Sequence, residues 1–374
     1  MKSFFKYRRA HAIFTKEFKH IFRDPFTLMM ALLLPFLIVL ILGNSIEFNI
    51  KSIDLAYIDH DKTQSSRKLI ETFGSSNYFL PYEVQTPEQA FQNVVNEKAR
   101  AVLIIPPQFE KQVLGQGKGD VQILLDGADN SSIAAIMNYL TTINTNAIYK
   151  IKDVPRENSA PLSFKTRYLF NPELNSRWFA VPGIAAVIIA LVSIMLTALT
   201  VCREWEKGSM EMLLSTPATS LEIMFGKLFP YAFLSFAGFV IVFLAARFIF
   251  DVPFVGAYWI LALGTIIFIF DYLALGLYIS IVSHEQQVAV QYAAIIGLLP
   301  TALLSGFIFP VEYMPTFYQW LSSVFPARFY VDITRDQFLK ASTFADLWLP
   351  FTAMFIQGSV LIAACLWRFK RTLE

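Results

Sequence analysis

Long apolar runs separated by short polar breaks make up most of this chain, and one extended polar stretch interrupts them after the first run. The runs cover residues 26–43, 179–201, 228–250, 258–282, 288–309 and 347–367. Roughly 20 apolar residues cross a bilayer as a helix, so the pattern predicts six transmembrane helices. Lys2, Lys6, Arg8, Arg9, Lys16, Lys19 and Arg23 precede the first run, and Arg368, Lys370 and Arg371 follow the last. Positive charge so placed stays on the cytoplasmic side. An even number of crossings agrees with both ends lying there.

Residues 1–24 carry Ala10, Ile13, Phe14, Phe18, Ile21 and Phe22 on one helical face, with the basic residues around them. This predicts an amphipathic helix able to lie in the headgroup layer. The first span, within residues 25–44, is expected to kink at Pro35. Residues 45–176 change period. Segments 53–58, 101–105 and 121–125 read as strands, and 63–73, 107–114 and 131–151 as helices. Thr86-Pro87-Glu88-Gln89 opens another helix, to about 97, with an N-cap, a proline at the first helical position and a capping-box glutamine. Strands alternating with helices predict an α/β domain, outside the cytoplasm because it follows one crossing. Residues 155–175 return to the membrane. Residues 177–374 hold the other five spans, the fifth interrupted by Gly297, Pro300 and Gly306. The fold class is therefore an α-helical polytopic membrane protein with six transmembrane helices and an extracytoplasmic α/β domain between helices 1 and 2.

Composition agrees. The 374 residues are 55% hydrophobic and include 36 Phe, and the mean hydropathy of +0.49 is rare for a water-soluble domain. A net charge of +2 gives no reason to expect a nucleic-acid partner. Cys202 and Cys365 both end apolar runs, so the polar domain has no disulfide framework. The first run is too long, and its flank too basic, for a cleaved signal peptide.

Between the second and third runs lies a charged hook, residues 203–217. Glu204, Glu206 and Glu211 give it charge, and Met210, Leu213 and Leu214 an apolar stripe at helical spacing. Gly208 breaks it, and Pro217 ends it because proline disfavours a helical residue before it. Chemistry is scarce elsewhere. No Gly-x-x-x-x-Gly-Lys-Ser/Thr run exists to cradle a nucleotide, and 115–119 has glycines at the wrong spacing. The four histidines are scattered without metal-ligand spacing. Asp59-His60-Asp61 could hold a cation or simply cap the next helix. No catalytic constellation is legible, and no metal or bound cofactor is expected. Asp271 falls near the middle of the fourth run, where a charged Asp costs about 2.5–3.5 kcal/mol on insertion scales. It is expected to face the interior, as a substrate or proton contact or as a fastener between helices. Arg247 is expected to snorkel to the outer headgroups.

The hook, Glu204-x-Glu206-x-Gly208-Ser209-x-Glu211-x-Leu213-Leu214-x-Thr216-Pro217, resembles the signature that follows the second span in ABC-2 type exporter permeases, with Ser209 where the family usually has Thr. Lys16-Glu17-Phe18 followed by Arg23-Asp24-Pro25 resembles the family's start. Leu304-Ser305-Gly306-Phe307-Ile308-Phe309-Pro310-Val311-Glu312-Tyr313-Met314-Pro315 resembles its segment after span five. Arg335-Asp336-Gln337-Phe338-Leu339-Lys340 is a looser match, without the usual glycine after the arginine. Phe170-Asn171-Pro172 and the large outer domain resemble the bacterial branch with periplasmic domains.

The resemblance implies a half-transporter of the bacterial inner membrane that pairs with a second permease chain, identical or related. A cytoplasmic ATPase subunit would hold ATP and Mg and dock on the N-terminal helix and the hook. Glu204, Glu206, Gly208, Glu211, Leu214 and Pro217 would then be the ATPase-coupling residues. Spans two and five would line the pathway. Residues 310–344 would form an outer re-entrant segment, with Asp271, Phe307, Phe309, Pro310, Glu312 and Pro315 as pathway or gate candidates. The outer domain would meet a periplasmic adaptor or shape the exit, and the cargo would be an amphipathic small molecule, drug-like or lipid-like. An alternative is a membrane-anchored interaction protein whose outer domain binds a surface partner. A passive anchor needs neither an acidic hook nor a broken fifth span. A proton-coupled transporter centred on Asp271 is disfavoured by its single buried acid and the lack of an internal repeat.

Overall fold

A computed structural model describes residues 6–45, 53–76, 78–96, 98–116, 119–125, parts of 136–151, and 176–373. It divides into two compact units, one formed by residues 1–46 with 169–374 and the other by 47–168.

The first unit opens with helix α1 (Tyr7–Arg23). Its buried stripe is Ile13, Glu17 and Ile21, four residues apart. Pro25 stops it, and Asp24 caps the next helix: its Oδ1 accepts the backbone N–H of Phe26 at 3.1 Å, and its Oδ2 the Thr27 hydroxyl at 2.8 Å. Helix α2 spans Pro25–Ser45. Just upstream of Pro35, where a kink was expected, the helix carries a π-turn over Met29–Leu33. Pro35 has no N–H to offer the carbonyl four residues back, and a wider turn absorbs the mismatch.

The second unit carries a four-stranded sheet in the order β2-β1-β3-β4. β1 (Ile53–Asp59), β3 (Ala101–Ile105) and β4 (Gln122–Leu125) lie where the pattern put them. β2 (Phe79–Glu83) was not predicted, because Pro81 argues against a central strand. It pairs on one side only, the place where a sheet tolerates proline. β1 runs parallel to β2 and β3, and β4 antiparallel to β3. Helix α3 (Gln64–Gly74) is capped by Thr63, and α4 (Pro87–Val95) by Thr86, whose hydroxyl accepts the Gln89 N–H at 3.2 Å. The helix expected over 107–114 is a single turn, Phe109–Lys111, continued by a π-turn to Gln116. Described residues between 136 and 151 are helical. Residues 131–135 and 152–175, and with them the Phe170-Asn171-Pro172 motif, fall outside the described residues.

The rest of the first unit is a helical bundle. Helix α5 (Ser176–Glu206) is its axis, packed by α2 and by the helices that follow it. The second span was expected to stop at 201; it continues to Glu206. A short α6 (Ser209–Leu214) follows Gly208, which supplies the left-handed turn (φ +66°). Helix α7 (Ser220–Phe248) starts two turns before the expected 228, at a capping box in which Thr219 and Glu222 satisfy each other's backbone N–H groups. Helix α8 covers Tyr258–Ser283 and α9 Gln286–Leu303. Then come α10 (Thr316–Ser322), α11 (Pro326–Leu339) and α12 (Trp348–Leu373). Among the described residues five helices are long and apolar enough to cross a membrane: α2, α5, α7, α8 and α12. The expected fifth span ends six residues early, at Leu303, where Gly306 (φ +84°) turns the chain.

Small residues set the packing. A side chain at Gly276 of α8 would strike the Ile194 carbonyl of α5, and Thr197 donates to the Leu273 carbonyl at 2.8 Å. Helix α9 buries Ala289, Ala293, Gly297 and Thr301, every fourth residue, and Gly297 meets Ile194 of α5. Helix α11 is more deeply packed than a surface segment would be. Tyr330 is fully buried, stacks on Phe268 at 4.0 Å and bonds to Thr265 at 2.9 Å.

Candidate coupling and gating sites

Of the three carboxylates expected to charge the hook, Glu204 and Glu206 are sent by the fold to different partners. Glu204 lies in the last turn of α5 and is 9% exposed. Its Oε1 is 2.9 Å from Lys16 Nζ of α1, and its Oε2 is 2.8 Å from Lys227 Nζ of α7. Lys227 also lies 3.2 Å from Glu17 Oε1, and Lys16 lies 3.3 Å from the same atom. Two lysines and two glutamates thus close a ring across α1, α5 and α7, with Lys227 and Glu17 almost fully buried. Such a ring holds only if every charge keeps its partner. Glu206 turns elsewhere: it accepts the backbone N–H of Gln286 at 2.7 Å, and the Gln286 side-chain amide as well, tying the end of α5 to the start of α9. The backbone of Glu211 and Leu214 lies in α6, and their side chains fall outside the description.

Further contacts fasten α1 to the hook. Arg203 meets Asp24 at 3.1 Å, and Arg9 donates to the carbonyl of Pro217. Glu222, wholly buried, accepts the Lys6 N–H at 2.5 Å and the Thr219 N–H at 2.8 Å. What stays open is the outer surface of the hook: Lys207, Gly208, Met212 at 70% exposure, and 215–217. The buried stripe of α1 is the Ile13–Glu17–Ile21 line against α7, while Phe22 is exposed.

Burial alone would push the Glu17 carboxyl up. The Lys227 and Lys16 ammoniums outweigh it and hold Glu17 below the usual carboxylate range. Asp24 is likewise lowered: desolvation opposes, but bonds from Thr27 and Arg203 prevail.

Phe307 packs its ring where Gly183 of α5 leaves room for no side chain. Phe309, Pro310, Glu312 and Pro315 are exposed on the segment that follows. Sequence reading missed the residue that organises this turn. Arg335 of α11 donates to the carbonyls of Gly306 at 2.9 Å and Phe307 at 3.0 Å, and its guanidinium lies 3.9 Å from the centre of the Phe179 ring at the head of α5. An arginine one helical turn from buried Val331 and Phe338 was the available signal. Asp271 is 1% exposed and pressed against Gly358 of α12, and its Oδ2 has no hydrogen-bond partner among the described residues. It faces the α8–α12 contact, apart from the turn at Phe307. Arg247 donates to the Val252 carbonyl at 3.2 Å.

The chain as a whole is similar to known proteins. A family model described as "ABC-2 family transporter protein" matches residues 25–367. The chain is 29% identical over 377 residues to "Probable multidrug ABC transporter permease YbhS" of Escherichia coli K12, covering 98% of both chains. It is 27% identical to "Probable multidrug ABC transporter permease YbhR" of the same strain, over 98% of this chain and 99% of that one. It is 28% identical to "Inner membrane transport permease YhhJ", again from that strain, over 85% of each.

Proposed function

The chain belongs to the ABC-2 family of transporter proteins, and on that premise we propose that it is the membrane-spanning subunit of an exporter driven by a separate ATPase chain. The observation that carries this is the hook. Its outer surface is open, while its two ends are fastened to α1, α7 and α9 by the Glu204, Pro217 and Glu206 contacts. A force applied to α6 therefore moves several helices as one body, which is what transmission from a cytoplasmic motor requires. The contact surface is Gly208, Met212 and Pro217, on the segment around helix α6 that also carries Glu211 and Leu214 in sequence. Glu204 and Glu206 act behind it, by holding the hook to the bundle. ATP and Mg belong to the partner, since this sequence has no phosphate-binding loop.

In this reading α9 is the fifth of six crossings, both termini are cytoplasmic, the membrane is the bacterial inner membrane, and unit 47–168 is periplasmic and meets an adaptor there. A second permease chain covers α9, whose exposed side carries Gln287, Gln291, Tyr292, Ile295 and Leu299. The cargo is an amphipathic small molecule leaving the cytoplasm or inner leaflet; two relatives are named as probable multidrug transporter permeases. Phe307, held by Arg335, is the outer gate candidate.

Affinity purification from gently solubilised native membranes tests the proposal. A P-loop ATPase should co-purify in near-equal amount, and Met212→Glu, which alters only an exposed side chain, should reduce it at least tenfold with the permease still folded. Recovery without any ATPase would refute the subunit assignment.

A further inference from the structure

A cleft of about 260 Å³ opens among α1, α2, α5 and α7 beside the ion-pair ring. Its walls are graded along the helix axes. At one end stand Lys16, His20, Arg203 and Lys207; at the other, Met30, Met195, Leu196 and Leu199. Leu196 precedes Arg203 by seven residues on α5, which is about 10 Å of rise. The basic end thus lies at headgroup level and the apolar end one headgroup's depth further in.

The fixed charges within the cleft are already matched. Glu17 and Glu204 are met by Lys16 and Lys227, and Arg203 by Asp24. Lys207 has no ion pair among the described residues, and it is exposed at the rim with His20. A surplus cation over an apolar trough matches a molecule with one anionic head and a hydrocarbon tail. Exposed Phe26 borders the opening, giving a tail a path from the surrounding lipid.

We propose that this cleft binds an acidic phospholipid of the cytoplasmic leaflet, its headgroup on Lys207 and His20 and one acyl chain along Met30, Leu196 and Leu199. Because the cleft is walled by α1 and α5, an occupant bears on the same helices that hold the hook. The inference rests on the proposed function only for the side of the membrane.

The test is a native mass-spectrometric titration of the purified full-length chain in neutral detergent. Phosphatidylglycerol is compared with phosphatidylcholine of the same chains. One phosphatidylglycerol per chain should be retained at a concentration at least tenfold below that needed for phosphatidylcholine. Lys207→Glu should abolish the preference. Lys19→Glu, the same charge change on the same surface but outside the cleft, should keep it. Leu199→Trp, which fills the trough, should block retention; Lys207→Glu, at an exposed position, secures the result should the tryptophan variant not fold. Equal retention of the two lipids, or an equal loss in Lys19→Glu, would overturn the proposal. Displacement by millimolar inorganic phosphate would also overturn it, reassigning the cleft to a small free anion. None of these readouts depends on the ATPase, so their failure leaves the subunit assignment standing.

Discussion

Lys227 is the residue on which the cytoplasmic end turns. The residue is 1% exposed, and its ammonium stands between Glu17 and Glu204. Removing one partner from a buried ion pair costs about 3–5 kcal/mol, whereas replacing a pair with apolar groups is often neutral. Lys227→Met leaves two carboxylates facing Lys16 alone and is expected to lose that amount. Lys227→Met with Glu17→Leu leaves Glu204 and Lys16 balanced and is expected to recover most of it, measured by thermal unfolding in detergent. The pH dependence follows in sign. Glu17 sits below its ordinary value, so its stabilisation is complete above the unfolded pKa of about 4.3. It is lost as pH falls through the lower folded value. The wild type should therefore lose stability in acid more steeply than the double variant; equal acid profiles would show that the ring contributes nothing. Half of the ring was legible. An acid four residues from both Ile13 and Ile21 on an apolar stripe is an anomaly that sequence displays. Lys227 was not, because the apolar run begins at Leu228 and the capping box that extends α7 backwards depends on Thr219 and Glu222 meeting in space.

Among the elements, the turn after α9 shows how a motif is held from a distance. The segment from Ser305 to Pro310 has little structure of its own beyond the Phe307 N–H donating to Ser305 Oγ at 3.2 Å. Arg335 supplies the rest, with two carbonyls and a ring engaged by one planar group. Lysine keeps the charge but has neither the fork nor the stacking plane. Hydrogen bonds from charged groups contribute about 1.5–3 kcal/mol, so Arg335→Lys should speed amide exchange across Gly306–Phe309 by tenfold or more while α9 is unchanged. Unaltered exchange would mean that the turn holds itself. Elements with strong periodicity were readable: β1, β3, α3 and α4 fall within a residue or two of their expected limits. Those set by partners were not. β2 exists because β1 offers an edge that accepts Pro81. Buried α11 was not resolved as a helix within the outer re-entrant segment expected over 310–344, because its prolines and charges obscure the Ala327–Tyr330–Val331–Thr334–Phe338 face.

At the scale of the whole molecule, the path of the chain depends on α9. Gln286, Gln287 and Gln291 keep it from qualifying as a span by apolarity alone. Its packing argues otherwise. Ala289, Ala293, Gly297 and Thr301 line its full length and lie buried, and α9 packs along α5, a helix with the length and apolarity to cross. On the proposed six-span reading α9 crosses beside α5, and its glutamines are tolerated there because they face a protein interior or a water-filled cavity. The consequence is specific. On that reading Glu285 before α9 and Tyr313 after it, the latter 87% exposed, lie on opposite sides of the membrane. Single cysteines at these positions, in a chain whose buried Cys202 and Cys365 are replaced by serine and alanine, can be probed with an impermeant maleimide. Tyr313→Cys should react in intact spheroplasts together with Phe91→Cys of the second unit, and Glu285→Cys only after permeabilisation. If Tyr313→Cys and Glu285→Cys shared one side, α9 would not cross, and one terminus would have to leave the cytoplasm. The pairing of α9 with a second permease chain would then have to be abandoned as well.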